Sequence, residues 1–159
     1  VNETATEKHD KIVCQIARNY EKFLSSFVLY NSALSSTGQS SYFVKSGISL
    51  SANTDDVPGH KTSLCLETPV GNGSLDIYIR HVLLKHEKEE KGILVDIVVE
   101  VKSYIKSITE TIRQINKHKQ SMRRCRPDLY IVASPDDRYI DILESQDILF
   151  YDASLCKDW

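Results

Sequence analysis

No stretch of this sequence carries the roughly 20 consecutive apolar residues that a membrane-spanning helix needs, so no membrane partner is expected. Val1 to Asp10 is polar and lacks the apolar centre of a secretory signal. A soluble, intracellular, cytoplasmic protein is therefore expected, inside a host cell if the source is a virus or mobile element. Cysteine is sparse. Cys14, Cys65, Cys125 and Cys156 lie far apart, with none of the short C-x-x-C spacing that makes half a zinc site, which argues against a structural metal. Without sign of export, reduced and mostly buried thiols are the expectation. Glycine is also sparse, and the Gly71-Asn72-Gly73 run lacks the Lys and Ser/Thr that follow a nucleotide-binding loop, so it reads as a turn. The serine-rich 32–54 region offers no nucleophile with an evident base. His60, His81, His86 and His118 show no metal or nucleophile–base spacing and are expected at the surface.

Net charge is small as well, only −2, but its distribution is uneven. Between Lys102 and Arg126 stand eight basic residues and a single acid, Glu110, a balance of about +7. A basic stripe beside acidic clusters suits a protein that grips phosphates and holds a divalent cation; a solvated helix face is the plainer reading. The 159 residues suffice for one domain around one hydrophobic core, spanning 1–159.

Periodicity orders the chain. Ile12, Ile16, Tyr20, Phe23 and Phe27 recur at helical steps and predict a leading helix over about Glu7 to Tyr30. Asn31 to Ser40 reads as a loop, Ser41 to Leu50 as a strand, Asn53 to His60 as turn chemistry and Lys61 to Glu67 as a short strand. Asn72-Gly73 marks a tight turn within Pro69 to Ser74. Ser74 to Leu84 alternates, with Leu75, Ile77 and Ile79 on one face and Asp76, Tyr78 and Arg80 on the other. After a charged connection, His86 to Gly92, a long strand runs from Ile93 to Lys102. Val95, Ile97, Val99 and Val101 form its apolar face, and Leu94, Asp96, Val98, Glu100 and Lys102 its mixed one. Ile105, Ile108, Ile112 and Ile115 predict a helix over about Tyr104 to Lys119. A buried strand at Asp128 to Ser134 follows, then a cap in Ser134-Pro135-Asp136-Asp137, a short helix at Arg138 to Ser145 and a last strand at Ile148 to Tyr151. The core is thus about 41–134, with 135–159 as a C-terminal extension. An α/β fold with a mixed central sheet flanked by helices is expected.

An acid, any residue, then lysine is by itself uninformative: with 22 acids and 13 lysines about two matches arise by chance, and two exist. Glu89-Glu90-Lys91 lies in a hydrophilic turn. Glu100-Val101-Lys102 ends an apolar strand, where a period of two puts Glu100 and Lys102 on one face. Asp76 stands on the mixed face of the preceding hairpin strand. Clustered carboxylates need a partner, and Mg²⁺ prefers one or two carboxylates plus water and phosphate. A lysine beside them can hold the attacking water and offset charge in the transition state. The plainer reading is a cross-strand ion pair. Asp96, on the same face as Glu100, is an alternative to Asp76.

In this order (Asp on one hairpin strand, acid-x-Lys late in the next, an amphipathic helix, a further strand) the chain resembles the PD-(D/E)XK nuclease superfamily over about Ser74 to Ser134. Ser74-Leu75 stands where that family carries a proline before its Asp. The resemblance implies a restriction-endonuclease-like αβββαβ core and hydrolysis of phosphodiester bonds in DNA with Mg²⁺ or Mn²⁺. Asp76, Glu100 and the Val101 carbonyl would hold the metal, and Lys102 would serve catalysis. It also implies 5′-phosphate and 3′-hydroxyl products, and at this size a resolvase-like or mobile-element nuclease, often a homodimer. Relatives place a further acid on the first helix, for which Glu21 is the candidate at the flank of the stripe. Others use a glutamine on the second helix. Gln114 has the right distance from Lys102 but falls roughly opposite the isoleucine stripe at 100° per residue. Lys106, Arg113, Lys117, Lys119, Arg123, Arg124 and Arg126 are candidate phosphate contacts that position DNA without reading it. Two other readings stay open: a catalytically inactive nuclease-fold module that binds nucleic acid, and a domain whose basic helix docks an acidic partner.

Overall fold

Thr4 starts the first helix by a reciprocal cap: its hydroxyl accepts from the Glu7 amide at 3.1 Å, and the Glu7 carboxylate accepts from the Thr4 amide at 3.0 Å. The computed structural model describes residues 4–27, 48–52, 59–71, 73–86, 90–122 and 129–158. Helix α1 spans Ala5–Arg18 and α2 spans Tyr20–Phe27, so the expected single leading helix is two. Asn19 divides them. Its side-chain amide donates to the Gln15 carbonyl, the competition with helical bonding that makes Asn a poor interior residue. The expected loop at 31–40, most of the strand at 41–50, most of the turn at 53–60 and the end of the leading helix lie outside the described residues.

Strands β1 (Ile48–Ser51) and β2 (Ser63–Val70) both pair antiparallel with the long β3 (Gly73–His86), whose other edge pairs with β4 (Ile93–Val101). Strand β2 runs on through Pro69, beyond the expected Glu67, because an edge strand tolerates a residue without an amide hydrogen. Val70 pairs with Gly73 across a two-residue turn, where Gly71 takes φ 57°, the left-handed conformation such turns require. Past β4 the chain forms α3 (Ile108–Ser121), β5 (Leu129–Ser134), α4 (Ile140–Ser145), β6 (Leu149–Asp152) and a 3₁₀ helix at Ala153–Asp158. Strands β4, β5 and β6 are parallel neighbours, so the sheet is mixed. Helix α3 begins later than expected, since Ser107 provides the side-chain cap to the Glu110 amide; Ile105 is buried from the preceding loop.

The sheet separates two apolar layers. On one face Ile12, Val13, Ile16, Phe23 and Leu24 pack on Ile77, Ile79, Val95, Ile97, Val99 and Ile131; on the other Ile105, Ile115, Met122 and Leu143 pack on Tyr78, Val98, Tyr130, Val132 and Phe150. Each fully buried side chain of this kind stabilises by roughly 1.5–3 kcal/mol relative to exposure. The fold is α/β, a mixed central sheet flanked by helices. Leu75 departs from the simple alternation: it packs in the second layer, away from Ile77 and Ile79. The thiols differ as well, for Cys14 and Cys65 are exposed and only Cys156 is buried among the described cysteines. Strands outside the centre of a sheet, and the outer face of a helix, leave such positions in water.

Register shifts by one between Ile79↔Ile97 and Val82↔Val95, leaving Arg80 and His81 together opposite Asp96. His81 takes φ 58°. This bulge moves the core-facing set of β3 from Ile77 and Ile79 to Val82 and Leu84. Asp96 stabilises it, accepting from the His81 amide at 3.0 Å and the Tyr78 hydroxyl at 3.2 Å. Asp96→Ala should therefore lower the unfolding free energy by about 1–3 kcal/mol, read as a lower urea midpoint; an unchanged midpoint would show that other contacts hold the bulge.

Candidate active site

Strands β3 and β4 pair as far as Ile77↔Val99. One step further Asp76 and Glu100 come opposite each other, and there the Asp76 carboxylate takes over the ladder: its Oδ2 accepts from the Val101 amide at 2.8 Å. On the far side of β4 the Lys102 amide donates to the Ala133 carbonyl at 3.0 Å. The Glu100–Lys102 segment is thus held from both sides through its amides, by the Asp76 carboxylate on one and the Ala133 carbonyl on the other. Its three side chains are directed by strand geometry and not by loop conformation.

Glu100 is 3% exposed. Burial pushes its carboxyl up, the neighbouring Asp76 carboxylate pushes it further and Lys102 pulls it back; the result is about 8 against an ordinary 4.5. Oε1 accepts from the Gln114 amide at 3.2 Å. Oε2 is buried without a hydrogen-bond donor among the described residues. The His118 Nδ1, at 3.8 Å, stands beyond hydrogen-bonding distance. Two carboxylates facing each other with an open buried oxygen require a shared proton or a cation.

Gln114 joins this acid to the lysine. Its side-chain oxygen accepts from Lys102 Nζ at 2.9 Å while its nitrogen donates to Glu100. The sequence placed Gln114 away from the sheet, and the structure corrects that. Ile105 is not part of the helix, and the buried face of α3 is Thr111, Ile115 and His118, followed by Met122. Relative to that face Gln114 lies only about 70° off centre at 100° per residue, on the flank facing Glu100. His118 is likewise buried, at 6% exposure, and not a surface residue; burial lowers its pKa.

Helix α1 contributes a residue that the sequence reading passed over. His9 Nε2 lies 3.2 Å from Asp76 Oδ1, and Nδ1 lies 3.0 Å from Asp10. Burial pulls the His9 pKa down, but the Asp10 hydrogen bond and the charge and hydrogen bond of Asp76 outweigh it, so the value is raised. The signal was available: His9 precedes Ile12, Val13 and Ile16 by helical steps and so shares their face. Glu21 is exposed on α2, and no described hydrogen bond or ion pair links it to Asp76 or Glu100.

Asp96, the alternative acid, has both oxygens engaged at the bulge, four residues up the strand, roughly 13 Å from Glu100. A clamp behind the site also escaped the sequence. Asp136, expected to cap α4, instead accepts from the Ile105 amide at 3.0 Å and pairs with Arg138, whose hydrogen bonds hold its carboxyl down to about 2. Arg138 in turn donates to the Ile105 carbonyl and stacks on Tyr104 and Tyr139. The chain leaving Lys102 is pinned by this clamp.

Of the candidate phosphate contacts, Lys106 and Lys117 are exposed, Arg113 is exposed and paired with Glu110, and Lys119 lies 5.0 Å from the Tyr130 ring. Arg123, Arg124 and Arg126 lie outside the described residues. Among the described residues no three His, Cys, Asp or Glu side chains converge as a metal cage. Asp76 and Glu100 nevertheless fit a hard cation of the Mg²⁺ kind, which takes one or two carboxylates and completes its shell with carbonyl, water and phosphate oxygens. The orphaned Glu100 Oε2 is the observation behind that fit. Among the described residues no helix is long and apolar enough to cross a membrane.

No known protein family matches the chain, and no curated protein does either. Among solved structures, a repair endonuclease from Pyrococcus abyssi is similar over 57% of this chain, at 18% identity and a TM-score of 0.37; the match spans 36% of that protein's own length.

Proposed function

We propose that the protein is a metal-dependent endodeoxyribonuclease of the PD-(D/E)XK type, hydrolysing phosphodiester bonds in DNA with Mg²⁺ or Mn²⁺. The observation that carries this reading is the buried Glu100 carboxyl, one oxygen unsatisfied, facing Asp76 and tied through Gln114 to Lys102. A structural ion pair would place Lys102 directly on the acid; here a glutamine stands between the two.

Asp76, Glu100 and the Val101 carbonyl would hold the cation. When bound it supplies a polarised phosphoryl oxygen and a more acidic water. Lys102 Nζ, aligned by Gln114, holds the attacking water and offsets negative charge that grows on the phosphoryl oxygens. The His9 imidazole orients Asp76 from the α1 side. Lys106, Arg113 and Lys117 meet the phosphates on either side of the scissile bond. The finer form of the reading is a homodimer acting on branched DNA as a resolvase, leaving 5′-phosphate and 3′-hydroxyl ends.

Purified protein with Mg²⁺ or Mn²⁺ should cut nicked, branched or linear DNA. Glu100→Gln and Lys102→Ala should each reduce the rate by about 10²-fold or more, the scale of a lost electrostatic stabiliser. Cleavage that survives either substitution would place the activity elsewhere. Gln114→Ala should lower kcat by up to about 10²-fold through misplacement of Lys102, while metal affinity by calorimetry stays within a few fold; an equal loss of both would make Gln114 part of the metal site.

The raised Glu100 value carries a sign. Between pH 4.5 and about 8 the folded protein keeps a proton that the unfolded chain releases, so stability in chelator falls as pH rises through that window. Mn²⁺ displaces the proton and should raise Tm by several °C at pH 8 and little at pH 5. Glu100→Gln should flatten the pH slope and remove the Mn²⁺ effect. A Mn²⁺ shift of equal size in the variant would sink the assignment.

A further inference from the structure

Beside the proposed reacting centre lies a cleft that the hydrolytic chemistry leaves unused. It has a volume of about 190 Å³ and runs between the β2–β3 hairpin, through Val70 and Gly73, and one face of α3, through Gln114, Lys117, His118 and Ser121. Three features suit it to a ligand. First, it adjoins the site directly, for Gln114 lines it and also contacts Glu100 and Lys102. Second, His118, with its side chain only 7% exposed, spans the two: Nδ1 faces Glu100 without a hydrogen-bond partner, and Nε2 faces the Gly73 wall, 3.6 Å from where a Cβ there would stand. Third, the hairpin wall opposite carries no side chain at Gly73, which leaves room there, while the exposed Lys117 stands at the rim.

The lining offers one cation, an amide, an imidazole and a hydroxyl around a wall made by Val70 and the Gly73 backbone. That combination matches a phosphate followed by a flat heteroaromatic ring carrying hydrogen-bonding edges. Size decides what form the ring takes. A cavity of about 150 Å³ admits benzene, so 190 Å³ accommodates one base but not a base pair. Paired DNA presents only groove edges, and a base enters such a slot only by leaving the stack, at least cost where it is already unpaired.

We infer that this cleft is a subsite for a single unpaired nucleotide next to the scissile phosphate, so that the preferred substrate is single-stranded or locally unpaired DNA. The inference rests on the nuclease reading for its substrate. Lys117 takes the flanking phosphate; the base lies against Val70 and Gly73, its edge meeting the His118 ring and the Ser121 hydroxyl.

The experiment is equilibrium binding in chelator, followed by fluorescence anisotropy, on three labelled DNAs: a short single strand, a duplex with one unpaired nucleotide, and the same duplex fully paired. The native protein should bind the first two more tightly than the third. Gly73→Val fills the slot at a strand position, where the added Cβ makes only ordinary contact with His118; it should weaken the first two about tenfold and leave the paired duplex unchanged. Gly73→Ala, the milder variant, should move affinity the same way by less, and an unchanged Tm certifies folding. Lys117→Ala should weaken all three and reduce their salt dependence. Equal affinity of the native protein for the three DNAs, or a preference that survives folded Gly73→Val, overturns the subsite. Glu100-dependent cleavage measured in parallel separates the ideas: cleavage without the preference overturns the subsite alone, and the preference without cleavage overturns the nuclease reading and keeps the subsite.

Discussion

The meeting of Asp76 and Glu100 at the end of the β3–β4 ladder is the constraint around which the rest of the molecule is arranged. Two carboxylates on paired strands repel, and one of them is buried almost completely. The arrangement holds because Asp76 replaces a backbone partner for Val101, which fixes its position whether or not a cation is present. What remains is an acid whose proton is shared or exchanged, beside a lysine that does not neutralise it directly.

Much of the surrounding structure serves to hold that meeting in place. The bulge at Arg80 and His81, stabilised by Asp96, rotates the outer half of β3 while the inner half keeps Asp76 level with Glu100. The Asp136–Arg138 clamp pins Tyr104 and Ile105, the residues between Lys102 and the start of α3, and so sets where Gln114 arrives. Helix α1 closes the other side with His9. Charge groups that looked separate in the chain are thereby layered: acids at the strand ends, an amide and an imidazole above them, lysines at the rim.

Periodic segments were legible and irregular ones were not. The alternation of Ile93 to Lys102 and the stripe of the leading helix arise from burial on one face, which leaves a repeating mark in the residues. The break at Asn19, the bulge and the late start of α3 depend on single hydrogen bonds, which leave none. Gln114 shows the consequence. Counting on the isoleucines turned the helix by the wrong amount, because Ile108 and Ile112 are only half-buried and the buried face is set by Thr111, Ile115 and His118. His118 was misjudged for a related reason, since its burial depends on the hairpin that folds over α3 and not on its own neighbours.

The sequence by itself determined the α/β class, the run of strands and helices, and that Glu100 and Lys102 share a face, because local sterics and the two-residue period of a strand dictate all three. Only the tertiary structure placed Asp76 across from Glu100 and Asp96 at a bulge, since strand register and the bulge set which acid meets Glu100. It also brought His9, Gln114 and His118 to one place. Residues far apart in the chain come together only through strand pairing and helix packing, and no spacing along the chain records that.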